Sequence, residues 1–117
     1  MTTYQEIKTF DERKSEATKI ISRYPSRLPV IVERASSEKN LPLINKNKYL
    51  VPMEMSMGNL LVIIRKRLKL TPEKALFVFV NSRHMVPTSS IMSDIYDQYS
   101  TLDKYLYLQY CSENTFG

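Results

Sequence analysis

The last seven residues, Cys111 to Gly117, carry the group with the most to offer chemically: a terminal carboxylate on a glycine, behind Phe116. A carboxylate is unreactive toward amines until it is activated. Once activated, its carbonyl must be open to a nucleophile. Glycine has no Cβ, so that approach is unobstructed and the backbone adapts freely. The stretch "CSENT" before it is polar and without periodicity, which predicts a flexible arm, and Phe116 offers an apolar handle. The chemistry open to such a terminus is acyl transfer, once the carboxylate has been activated. Taken alone, the pair also reads as a frayed terminus, which is the commoner case.

Other reactive residue types are sparse. His84 is the only histidine, and without a second histidine or a cysteine pattern it predicts no metal site. Cys111 is the only cysteine, so no internal disulfide is possible and a reducing, cytoplasmic setting is expected. With no catalytic histidine near it in any motif, Cys111 is not read as a nucleophile. The two glycines, Gly58 and Gly117, exclude a glycine-rich phosphate loop. No signal-peptide core is visible at the start, and no apolar run approaches the roughly 18 residues of a membrane span. The expectation is therefore a protein without catalytic residues or cofactors.

Charge is concentrated. Residues 44–74 carry seven Lys/Arg against two Asp/Glu, a surplus as large as the +5 of the whole chain. A basic face attracts acidic partners, whether peptide, anionic lipid or nucleic acid, and it also serves simply to keep a surface solvated. Eight tyrosines are present, but aromatics do not interleave the basic segment as a stacking platform would require, so nucleic acid is not expected.

Positioning such groups takes one domain, which 117 residues with 43% hydrophobic content can supply. Residues 10–24 predict a helix with Phe10, Ala17, Ile21 and Tyr24 on one stripe, ended by Pro25, and a short helix around 3–8 precedes it. "RLPVIVERA" (27–35) and "KYLVPM" (48–53) predict strands, the second at a sheet edge because Pro52 cannot donate to a ladder. Ser56 reads as the N-cap of a helix with Met57, Leu60, Leu61, Ile64 and Leu68 on its apolar face. "ALFVFV" (75–80) predicts a strand buried on both faces. A helix over 89–99 and a strand over 105–110 complete the order. Two strands, a crossing helix and two more strands describe an α+β fold, a β-grasp sheet wrapped on one helix, with two additional N-terminal helices. The division is 1–26 for the helical extension, 27–110 for the core and 111–117 for a flexible C-terminal tail.

The segments "FDERKSEA", "RLPVIVERA", "INKNKYLVP", "IIRKRLKLTPEKALFVFVN", "PTSSIMSDIY" and "SENTFG" resemble the autophagy ubiquitin-like modifiers of the GABARAP type, from about residue 10 to the end. The resemblance implies a ubiquitin-like β-grasp. It also implies a conjugation cycle, in which an activating enzyme adenylates Gly117, passes it as a thioester to a carrier enzyme, and delivers it to the amine of phosphatidylethanolamine. In many relatives a cysteine protease trims residues after the glycine; here either the gene encodes the mature end or this is the trimmed form.

A second implied function is the binding of aromatic-x-x-aliphatic motifs in cargo receptors and adaptors by strand addition. Carried over by position, the aromatic pocket would use Glu16, Ile20, Pro29, Ile31, Lys48, Leu50 and Tyr105. The aliphatic pocket would use Tyr49, Val51, Pro52, Met55, Leu60 and Ile63, and Lys46, Lys48, Arg67 and Arg27 would meet acidic flanking residues. The chain departs from the family pattern at Tyr105 (usually Phe), Lys104 (commonly Gly), Met53, Met55 and Met57 around the second pocket, and Cys111-Ser112 (usually Ser-Gly). The expected location is the cytoplasm, with autophagosomal or vacuolar membranes after lipidation. The rival reading is a non-conjugated adaptor that binds peptides or tubulin through its basic surface.

Overall fold

The computed structural model describes residues 2–113. Capping boxes start both N-terminal helices. Thr3 and Glu6 exchange side-chain and backbone hydrogen bonds at α1 (Tyr4–Ile7), and Thr9 and Glu12 do the same at α2 (Phe10–Arg23). These contacts satisfy donors that a helix start leaves unpaired. The strands follow as β1 (Arg27–Arg34) and β2 (Lys48–Pro52). Next come α3 (Met57–Leu68), capped by Ser56, and β3 (Phe77–Val80). The described chain ends with α4 (Met92–Tyr99) and β4 (Leu106–Cys111).

The strands form one sheet in the order β2-β1-β4-β3, with β1 and β4 parallel at the centre and antiparallel pairs outside. Alternation along the strands sends side chains to two layers. Val30, Val32, Leu106, Leu108 and Tyr110 point to the face covered by α3 and α4, where they meet Leu60, Ile64 and Ile95. Ile31, Tyr105 and Tyr107 point to the other face, where they meet Tyr4 and Ala17 of α1 and α2. Covering on both sides explains why β1 reads as an unbroken apolar run. The ubiquitin-like α+β architecture expected from the sequence is the one observed.

Three local expectations are corrected. The apolar run at 75–80 forms a ladder only over 77–80, paired to β4 alone at the outer edge, though that strand is buried as expected. Strand β4 runs on through Cys111, which is buried, so the departure from the sheet begins at Ser112. On α2 only Ala17 is buried, flanked by half-buried Arg13, Glu16, Ile20 and Ile21; the expected Ala17 and Ile21 thus lie on the inner side, while Phe10 and Tyr24 are each 42% exposed. That side carries two charged residues, Arg13 and Glu16, among its five.

Gly58 is needed for close approach. Its amide donates to the Thr88 carbonyl at 2.8 Å, and a Cβ there would stand 3.2 Å from that oxygen. This contact docks the start of α3 on the segment that leads into α4.

Candidate peptide groove and the root of the C-terminal arm

Strand β2 has one free side. The amide of Val32 donates to Asn47 at one end of the β1–β2 ladder, and that of Met53 donates to Ser26 at the other. Hydrogen-bonded pairs alternate in an antiparallel ladder, so Tyr49 and Val51 bond to β1 while Lys48 and Leu50 turn their N–H and C=O outward. These outward groups can receive another strand. In this structure the Leu50 carbonyl accepts a hydrogen bond of 3.1 Å from the Arg27 guanidinium.

Beside this edge lies a cavity of about 390 Å³ lined by Ile20, Arg27, Lys46, Lys48, Tyr49, Leu50 and Tyr105. Its apolar floor comes from α2, β2 and Tyr105, the residue just before β4, and its rim is three cations. Glu16 stands behind this lining. Its Oε1 accepts from the Tyr105 hydroxyl at 3.1 Å, from Lys48 Nζ at 3.3 Å and from the Tyr4 hydroxyl, while Oε2 accepts from Lys8 Nζ. One carboxylate thereby ties α1, α2, β2 and β4 together. Burial, then the neighbouring Glu16 charge and hydrogen bond, push the Tyr105 phenol far above its ordinary pKa, so it remains a donor to Glu16.

Of the residues expected in the aromatic pocket, Ile20, Lys48, Leu50 and Tyr105 line the cavity. Pro29 and Ile31 are buried opposite Leu50 and Lys48 on β1. Arg27, Lys46 and Tyr49, expected in other roles, line the same cavity. The second expected set divides differently: Tyr49, Val51 and Leu60 are core residues under α3, and Met55 and Ile63 pack half-buried against that core. Pro52 is half-buried at the end of β2, and Arg67 is exposed on α3. Burial raises the Tyr49 phenol pKa, opposed by the charge of Arg67.

Sequence reasoning missed Tyr4 and Lys8. The Tyr4 ring meets Tyr105 edge-on at 5.5 Å, and Lys48 Nζ sits 5.1 Å from the Tyr4 centroid. The family resemblance began only near residue 10. The available signal was the spacing of Tyr4 and Lys8, four apart across a capped turn and therefore on one side.

The C-terminal end is held by Glu38, which is 7% exposed. Its carboxylate accepts from the Ser112 amide at 2.6 Å, the Ser112 hydroxyl at 2.9 Å, and the amides of Asn40 and Leu41 at 2.8 and 2.9 Å. Burial works to raise the Glu38 pKa, but these donors outweigh it and hold the carboxyl below its ordinary value. Burial pushes the Cys111 thiol up, away from the thiolate form a nucleophile needs. Phe116 and Gly117 lie outside the described residues. Because β1 and β4 are parallel, the groove sits where both strands begin and the arm root where both end. Cys111 lies six positions after Tyr105, the residue just before β4, about 20 Å at strand spacing.

Among the described residues no helix is long and apolar enough to cross a membrane, and no cluster of three or more potential metal ligands occurs. Residues 12–117 match the family described as "Autophagy protein Atg8 ubiquitin like". The chain is 47% identical to autophagy-related protein 8d of Arabidopsis thaliana over 107 residues, covering 92% of this chain and 88% of that one. It is 44% identical to autophagy-related protein 8 of Saccharomyces cerevisiae over 115 residues, covering 98% and 97%. The crystal structure of Trypanosoma brucei ATG8 superposes with a TM-score of 0.89 at 38% identity, covering 100% of this chain and 99% of that one.

Proposed function

Because the chain belongs to the Atg8 family of ubiquitin-like autophagy proteins, we propose that it is a modifier conjugated through Gly117 to phosphatidylethanolamine. In the same reading, the β2 groove recruits aromatic-x-x-aliphatic motifs of cargo receptors and adaptors. The activating enzyme joins the Gly117 carboxylate to the α-phosphate of ATP and releases pyrophosphate. A cysteine thiolate of that enzyme displaces AMP, and a carrier thiolate takes over the acyl group. The lipid amine then attacks the thioester, forming an amide and freeing the thiol. Deconjugation, and any trimming past Gly117, falls to a cysteine protease. This chain supplies the acyl group and the binding surface, and its partners supply the catalysis.

The observation that carries the reading is the placement of the two regions about 20 Å apart at opposite ends of one rigid sheet. A protein anchored through residues beyond Ser112 keeps its groove away from the anchored end. Fully extended, residues 113–117 reach at most about 18 Å from the Glu38 clamp, enough to thread a carboxylate into a narrow external site. Two acyl chains on the acceptor lipid hold a protein firmly where one does not, so a single amide bond moves the domain from cytoplasm to autophagosomal or vacuolar membrane.

The test is reconstitution with the activating and carrier enzymes, ATP and phosphatidylethanolamine liposomes. Expected is a faster-migrating lipidated band that vanishes on deleting Gly117. An equal band from the deletion variant rules the proposal out, and so does no band from the intact chain. Normal function without Gly117 favours the unconjugated adaptor.

A further inference from the structure

A larger cavity, of about 780 Å³, opens at the far end of the sheet from the groove. Among the described residues, those that line it include none from a helix. Phe79 and Gln109 are register partners, and alternation along β4 puts Gln109 and Cys111 on the same face as Tyr105 and Tyr107. The N-terminal helices cover that face around Tyr107 and Ile31. At the other end Phe79, Ala35 and Cys111 supply the cavity's apolar surface, and the loop 36–40 supplies a polar wall.

The remaining wall is the root of the arm, Cys111 to Glu113. The chain already bends back there, because the Cys111 thiol donates to the carbonyl of Glu113 at 3.0 Å. Glu38, itself in the lining, holds Ser112 on the same side. Phe79 lies one strand over and two positions back from Cys111, so their Cα atoms are roughly 8–9 Å apart. Phe116, five positions after Cys111 and outside the described residues, can span up to about 18 Å from it. Of Asn114, Thr115, Phe116 and Gly117, only Phe116 has a large apolar side chain. An aromatic ring packs well on another ring, and a buried thiol behaves as a small hydrophobe. Lys39 in the wall offers the charge opposite to Glu113.

We infer that this cavity is the resting seat of the chain's own Phe116 ring, folded back onto Phe79 and Cys111. The seat needs no conjugation, so it stands or falls apart from the function proposed above. Within that function, an enzyme must lift the ring before it can reach the Gly117 carboxylate.

Cys111 is the only cysteine, so its labelling reports on the seat directly. The experiment treats the folded full chain and Phe116→Ala with iodoacetamide at one pH and follows the mass with time. Expected is labelling roughly tenfold faster in Phe116→Ala, as for an arm docked about nine-tenths of the time. In the wild type, nuclear Overhauser contacts should join the Phe116 ring to the Ala35 methyl and the Phe79 ring. Equal labelling rates overturn the inference, and so does the absence of those contacts. Protection of Cys111 that grows with protein concentration also overturns it, because a second copy would then fill the seat. The contacts are sought in the unmodified chain, so a poorly folded variant leaves the test intact.

Discussion

Arg13 and Asp103, ninety residues apart, meet through an Nε–Oδ2 ion pair of 2.9 Å with both side chains largely buried. Asp103 also accepts from the Tyr107 hydroxyl at 2.6 Å, the Thr101 hydroxyl at 2.6 Å and the Tyr105 amide at 3.0 Å. Arg13 in turn donates to the carbonyls of Gln5 and Lys8. The pair thus fastens the N-terminal helical layer to the turn that starts β4. That turn is also where Lys104 takes a left-handed φ of 71°.

Removing one partner of a buried, hydrogen-bonded pair leaves the other charge without compensation, at about 3–5 kcal/mol. Asp103→Ala should lower stability at pH 7 by about that amount. Chemical denaturation monitored by circular dichroism measures it. A change below about 1 kcal/mol would mean that the N-terminal layer is not fastened here.

Acid should weaken the same fastening. For Asp103, as for Glu38, burial pushes the pKa up, but hydrogen bonds to the carboxylate win and hold it below its ordinary value. A depressed folded-state pKa gives stability that is complete above the unfolded value, near 4, and that drains away as pH falls through the lower folded value. Glu33, raised by burial and by Glu6, works in the opposite direction, and its cost is relieved on protonation. Stability should therefore be nearly flat from about pH 5 to 7 and decline below about pH 4. The gap between wild type and Asp103→Asn should narrow over that decline, which urea unfolding at pH 7 and pH 3.5 would show.

Much of the fold is written plainly in the chain. The Ser56 cap, the 57–68 stripe and Pro52 at the end of an edge strand each act within a few residues, so local pattern reveals them. The buried face of α2 is hidden for a physical reason. Arg13 and Glu16 look like solvated charges, and their partial burial is made tolerable in large part by distant partners, Asp103, Tyr105 and Lys48. Such pairings leave no periodic trace. The residues beside β2 were placed by the resemblance, and the burial alternation of Lys48 and Leu50 against Tyr49 and Val51 agrees with that placement. Tyr4 and Glu38 were not, since each acts on a residue more than seventy positions away.

The split between core and groove can be read by paired substitutions. Leu60 is 1% exposed, so Leu60→Ala should cost about 2–5 kcal/mol of stability through the cavity it leaves. Leu50 is half-buried and lines the pocket. Leu50→Ala should weaken peptide binding about tenfold while costing about 1 kcal/mol or less of stability, in keeping with loss of an interface anchor. Thermal unfolding beside peptide titration separates the two, and equal stability losses would erase the distinction.

Rim charge should act on encounter more than on residence. Lys46 is exposed, with its ammonium 5.4 Å from the Tyr49 ring centroid. Lys46→Ala removes one cation from the cavity wall without opening the core. For a peptide with acidic flanks the association rate should fall several-fold and depend less steeply on salt, while the dissociation rate changes little. Stopped-flow mixing at two ionic strengths resolves these quantities, and a change confined to dissociation would place Lys46 inside the contact rather than at its rim.

The Glu38 clamp makes the last prediction, because it sets where the arm begins. Four donors converge on one nearly buried carboxylate, two of them from Ser112. Glu38→Gln keeps the size but places an amide N–H₂ where an acceptor oxygen stood, so at least one of these donors loses its partner at about 1–3 kcal/mol. Hydrogen exchange at the amides of Asn40, Leu41 and Ser112 should speed up together, because one group holds all three. The arm then effectively starts at Ser112 instead of Glu113, which lengthens its reach by one residue, or roughly 3.6 Å. In the proposed conjugation, transfer from the carrier thioester to lipid depends on placing the terminal carboxylate, so its rate should change in Glu38→Gln even under conditions where the domain is fully folded. A lipidation rate identical to wild type, with the three amides exchanging faster, would show that the clamp serves stability alone.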